Sequence, residues 1–224
     1  MKFTTDLAEL LKGLTDLPLA VAAAVCAVLL LRRTYDRRWP TMYGLIAVTA
    51  LAGGFVHAFK LSYRWRQLLW IGLYFALYII LYLFTRVIDA HLFRRMDRVS
   101  IRLTLLCVVC CFVSLALLLN ADKLPKDSIK NADMIPLVVY AVVMIVRLLA
   151  SALPRHPSRR LYETVALLTL AAALQIVAAF WPWAVAIQHL LLIGALIAAV
   201  GIAPLRGSEE YRYDYRQDDY GRDE

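Results

Sequence analysis

Apolar residues run along this chain in seven long blocks, broken by short polar stretches that are rich in arginine. The blocks cover approximately 14–31, 41–59, 68–84, 103–119, 134–149, 161–180 and 183–202. Each is near the length of about 20 residues that a tilted helix needs to cross the hydrocarbon core of a bilayer. The pattern therefore predicts an all-α polytopic membrane protein of seven transmembrane helices. The fifth block has Pro136 near its start and Arg147 near its end. Both fit a span, because a proline in the first turn breaks no helical hydrogen bond and an arginine near a terminus reaches back to the headgroups. Only Trp181 and Pro182 separate the last two blocks, which predicts a tight antiparallel hairpin with aromatic rings at the interface.

Ahead of the first block, Phe3, Leu7, Leu10, Leu11 and Leu14 recur at helical spacing, while Asp6 and Glu9 interrupt any signal-peptide core. Residues 1–13 read as an interfacial amphipathic helix. Asp6 and Glu9 mark its capped start, and Gly13 separates it from the bundle over 14–206. Residues 207–224 alternate Tyr, Arg, Asp and Glu without an aliphatic residue, the composition of a disordered charged tail.

Orientation follows from the basic residues. With Arg147 assigned to the fifth loop, the odd-numbered loops and the C-terminal tail hold 17 Lys and Arg, against 8 in the N-terminus and the even-numbered loops. The positive-inside rule then predicts an N-terminus outside and a cytoplasmic C-terminus. At 62% hydrophobic residues and a mean hydropathy of +0.64, no room is left for a separate soluble domain. The net charge of +8 sits in short loops that face headgroups, so the expected partners are membrane lipids and not nucleic acid. Cys26, Cys107, Cys110 and Cys111 all lie within apolar blocks, where they pack as small apolar residues and form no disulfide framework.

The candidate chemistry lies in the few polar residues held inside the spans. In the predicted topology His57 is three residues before Lys60, His189 seven after Pro182 and Gln175 seven before it. At a rise of about 1.5 Å per residue, Gln175 and His189 sit at one level, roughly 10 Å below the last turn. His57 lies in the same outer half of the membrane, and Asp16 at the rim of the first span approaches that depth. Thr49, Gly53 and His57, spaced by four, make a small polar stripe that turns His57 into the bundle. Gln188 and His189 are about 100° apart on their helix, so that His189 faces the centre and Gln188 a neighbour.

Three chemistries suit this set. His57 and His189 with Asp16 could ligate a catalytic zinc that keeps one position open for water. The same groups, with Gln175 and Gln188 in support, could hydrogen-bond across helices as interhelical glue. Two imidazoles on facing helices could also clasp a haem iron. His91 and His156 fall in cytoplasmic loops among arginines and read as solvated, and Glu163 suits the first turn of the sixth span. The seventh span has no lysine for a retinal Schiff base, no run of carboxylates suggests an ion pump, and no glycine- and proline-broken span suggests a transporter.

The Leu14-Thr15-Asp16-Leu17 start of span one, the Gly53-Gly54-Phe55-Val56-His57 end of span two and His189 in span seven resemble the bacterial alkaline-ceramidase-like seven-transmembrane family. That family belongs to the CREST-type superfamily of membrane hydrolases, with the adiponectin-receptor-like proteins. The resemblance implies an integral protein of the bacterial cytoplasmic (inner) membrane. It implies, too, a zinc held by one histidine of span two and two of span seven, whose bound water attacks a lipid amide. His57 matches the first ligand and His189 one of the other two. The turns beside His189 carry Val185 and Ile193, the expected serine is Gly53, and span three begins Leu68, Leu69, Trp70 without an acid. Asp16 is the substitute ligand; a member that keeps the fold without the chemistry is the alternative.

Overall fold

The computed structural model describes residues 3–92, 97–119, 159–178, 181 and 183–203, with five helical positions between Val139 and Val146. The described chain is overwhelmingly helical. Its elements are α1 (Leu7–Arg33), α2 (Arg38–Ala58), α3 (Tyr63–Leu92), α4 (Asp97–Leu119), α5 (Arg159–Ala178) and α6 (Ala184–Val200). Three stretches, Glu9–Arg33, Arg38–Ala58 and Arg64–Phe84, are long and apolar enough to cross a membrane, and Ile101–Cys110 and Ala184–Val200 are shorter apolar helices. The fifth predicted span, apart from those five positions, and the tail over 207–224 lie outside the described residues.

The first helix departs from the sequence expectation. Instead of breaking at Gly13, α1 runs unbroken from Leu7 through Gly13 and Pro18 to Arg33. Glycine here serves a close crossing: a methyl group on Gly13 would come within 2.9 Å of the Gly54 carbonyl oxygen of α2. A helical glycine costs about 0.5–1 kcal/mol relative to alanine, a small penalty beside the packing that the crossing allows. The helix opens at Asp6, whose backbone carbonyl accepts from the Leu10 N–H at 3.0 Å.

The helix α1 packs along α2 and α6, α5 along α6, and α3 against α2 and α4. Far from the N-terminus, Trp39, Tyr43, Leu30, Ile80 and Val87 form the main buried cluster. The Tyr43 hydroxyl donates to the Leu196 carbonyl at 2.6 Å and ties α2 to α6. Leu19, Ala20 and Ala50 continue this core between α1 and α2, against Leu192, Ile193 and Leu196 of α6. Outward faces are apolar as well: Val21 and Val25 on α1, Val48 and Leu51 on α2, and Leu105 and Phe112 on α4 are all exposed. Such a surface suits a lipid solvent, in which apolar side chains need no cover while backbone polar groups must be paired within the helix.

Candidate functional site

Glu9 and Asp16 are seven residues apart on α1 and thus share a face, the one turned to α2. Two glycines let them in. A methyl group on Gly53 would stand 3.2 Å from Asp16 Oδ2, and one on Gly54 would stand 3.3 Å from Asp16 Cβ. Asp16 fills the slot so formed and is only 7% exposed. His189 of α6 closes it from the other side, its Nδ1 lying 2.9 Å from the Thr15 hydroxyl and its Nε2 3.4 Å from Asp16 Oδ1.

Two tautomers of His189 fit these contacts. The Thr15 hydroxyl is also in reach of two carbonyls of its own helix, Leu11 at 3.1 Å and Lys12 at 3.0 Å. In one tautomer the Thr15 hydroxyl donates to His189 Nδ1 and Nε2–H faces Asp16; in the other the hydroxyl oxygen accepts from Nδ1–H, which leaves the Nε2 lone pair of a neutral ring facing the Asp16 carboxyl. In the second tautomer the two facing acceptors need a proton or a cation between them. Their 3.4 Å separation exceeds the usual N–H···O range of about 2.7–3.2 Å. It matches the roughly 3.3–3.4 Å between two ligands of a tetrahedral ion with bonds of about 2.0–2.1 Å.

His57 sits one turn beyond Gly53 and belongs to a second cluster at the rim. Its Nδ1 donates to Glu9 Oε2 at 2.8 Å, and Trp70 approaches the imidazole edge-on with ring centres 5.3 Å apart. Glu9 also accepts from Lys12 Nζ at 2.8 Å and Arg66 Nη2 at 3.1 Å. Three donors from three helices thus converge on one half-buried carboxylate.

The profile of DUF6962, a family of unknown function, matches residues 11–201. The chain belongs to that family. Within the DUF6962 match lie Thr15, Asp16, Gly53, Gly54, His57 and His189, whereas Glu9 stands two residues before it. No curated protein and no solved structure matches the chain.

Of the site residues expected from the sequence, the fold joins Asp16 to His189 and turns His57 inward, with its side chain only 14% exposed. It does not gather a metal centre: among the described residues, no three His, Cys, Asp or Glu side chains lie close enough to hold an ion. His57 is turned to Glu9 while Asp16 and His189 face one another, so the three expected ligands are divided between two clusters. A bis-histidine haem would have to displace Asp16 or Thr15 from His189. Gln188 is placed by α6 with its Oε1 buried and unpartnered among the described residues. Gln175 is on α5 with its side chain outside those described, as is that of His91 at the end of α3; His156 lies outside altogether. Sequence reasoning missed the roles of Glu9 and Thr15. The seven-residue spacing of Glu9 and Asp16 was the available signal for the first.

Proposed function

We propose that this DUF6962 member is a non-catalytic, lipid-binding scaffold of the bacterial inner membrane. Seven helices cross the membrane, with the N-terminus outside, the C-terminus in the cytoplasm and the histidine cluster in the outer leaflet. The observation that carries this reading is that side chains of α1 claim both imidazoles, Glu9 at His57 and Thr15 with Asp16 at His189. These groups act as interhelical glue that locks the first helix to α2 and α6. Hydrogen bonds of this kind contribute about 0.6–2 kcal/mol each in a membrane, enough together to fix one packing of three apolar helices. The lipid-facing surface and the aromatic residues at the helix ends supply the binding face.

A second reading is a metal-dependent lipid amide hydrolase akin to the alkaline-ceramidase-like enzymes. It is favoured by the ligand-like spacing of His189 Nε2 and Asp16 Oδ1. One preparation tests both. Wild type and the His57→Ala/His189→Ala variant are purified without chelator, then analysed for metal, for co-purified lipid and by absorption. Retained lipid and less than a tenth of an equivalent of metal support the scaffold. Near-stoichiometric zinc lost in the variant supports the hydrolase, and iron with a Soret band a haem protein.

A further inference from the structure

The rim around Glu9 carries more positive charge than that carboxylate can balance. Lys12 and Arg66 both contact Glu9, and each keeps further N–H donors, two on the ammonium and four on the guanidinium. Lys60 lies on the same rim, where its Nζ donates to Thr5 Oγ1 at 3.1 Å. Among described residues 3–12 and 60–66, four cations (Lys12, Lys60, Arg64, Arg66) face two carboxylates (Asp6, Glu9). This is a boundary between apolar helix and water. The stretches apolar enough to cross a membrane begin at Glu9 and Arg64 and end at Ala58, and Trp65 beside the cations is 63% exposed, as an interfacial anchor is.

An apolar track leads to this rim. Val48, Leu51 and Phe55 are exposed on α2 at helical spacing. Phe55 continues into a ladder of rings, 4.8 Å to Phe59 and then 4.7 Å to Phe3. The Thr4 N–H donates to the Ala58 carbonyl at 2.9 Å and holds the N-terminal segment on the end of α2. The stripe lies on the side of α2 turned away from His57 and ends at Phe3, two residues before the Thr5 hydroxyl that holds Lys60.

We propose that this rim is a binding site for an anionic phospholipid, whose phosphate bridges Lys12 and Arg66. The proposal rests on the lipid-binding reading and names the headgroup class. Glu9 is the positioning residue: it orders the two cations and neutralises one of them, leaving the other charge for the phosphate.

Native mass spectrometry of the full chain, titrated with phosphatidylglycerol and with phosphatidylcholine, tests it. Each basic residue near an anionic headgroup is worth roughly fivefold in affinity, so the wild type should prefer phosphatidylglycerol by roughly fivefold, through the one charge that Glu9 leaves unneutralised. Lys12→Gln/Arg66→Gln should abolish that preference and retain phosphatidylcholine binding. Glu9→Gln keeps a hydrogen-bonding partner for the cations and should strengthen phosphatidylglycerol binding roughly fivefold. Equal wild-type affinity for the two lipids, a preference that survives the double substitution, or competition by millimolar inorganic phosphate without lipid selectivity would overturn the proposal. Failure of the wild type to bind either lipid would instead overturn the lipid-binding reading beneath it.

Discussion

Replacing Gly13 with alanine should destabilise the protein, although alanine is the better helix former. In an open helical position the same change stabilises by about 0.5–1 kcal/mol. Gly44 on α2 is such a position, with nothing within 4 Å of an added methyl group. At Gly13 the methyl would meet the Gly54 carbonyl oxygen at 2.9 Å, Ala58 N at 3.4 Å and His57 Cβ at 3.4 Å. The first two neighbours are backbone, and the third is fixed by its own helix, so relief requires α1 and α2 to move apart. Overpacking of this kind costs about 1–3 kcal/mol. The propensity gain is common to both sites, so Gly13→Ala should be less stable than Gly44→Ala by about 1–3 kcal/mol. Unfolding of the detergent-solubilised protein by graded SDS, followed by tryptophan fluorescence, measures the difference. Equal stability of the two variants would refute the close crossing and return Gly13 to the helix-breaking role that its sequence context suggests.

Other substitutions probe the same packing. Asp16→Asn offers an N–H or a carbonyl toward His189 Nε2, which suits either tautomer, so it should change stability by less than about 1 kcal/mol, whereas Asp16→Leu loses the clasp and overfills the Gly53 slot. An SDS titration in which Asn costs as much as Leu would sink the clasp at His189. Tyr43→Phe removes the 2.6 Å bond to the Leu196 carbonyl and should cost about 0.5–1.5 kcal/mol in that assay. For the proposed orientation, Lys60→Cys should react with an impermeant maleimide in intact cells and Arg33→Cys only after permeabilisation. The reverse pattern would invert the topology.

Much of the fold could be read from apolar periodicity, because lipid imposes one rule on every span. The described helices α1 to α6 overlie the first four and the last two apolar blocks. The inward turn of His57 was legible for a related reason: Thr49 and Gly53 mark the face where backbones approach, and Gly53 is indeed buried. Gly13 misled because its local propensity opposes a helix, while its partner, Gly54, lies far along the chain. Glu9 was read as a capping residue from its place near a helix start, yet its carboxylate reaches His57, 48 residues away. Among the described residues Asp16, His57 and His189 do not gather as one group, for a geometric reason. Spacing along a helix fixes depth, and even azimuth does not reveal which groups on a third helix compete for each imidazole. Here Glu9, Thr15 and Asp16 all come from α1, and they divide the two histidines between separate clusters.

The imidazoles of His57 and His189 fasten α1 to its neighbours in the proposed scaffold. A double-mutant cycle on Glu9 and His57 measures that, using Glu9→Ala, His57→Ala and the pair together in the SDS unfolding assay. The 2.8 Å contact between them predicts a favourable coupling of about 0.5–2 kcal/mol, at the level of measured interhelical hydrogen bonds and close pairs. Strictly additive effects of the two single substitutions would contradict the clasp and leave His57 free for another ligand.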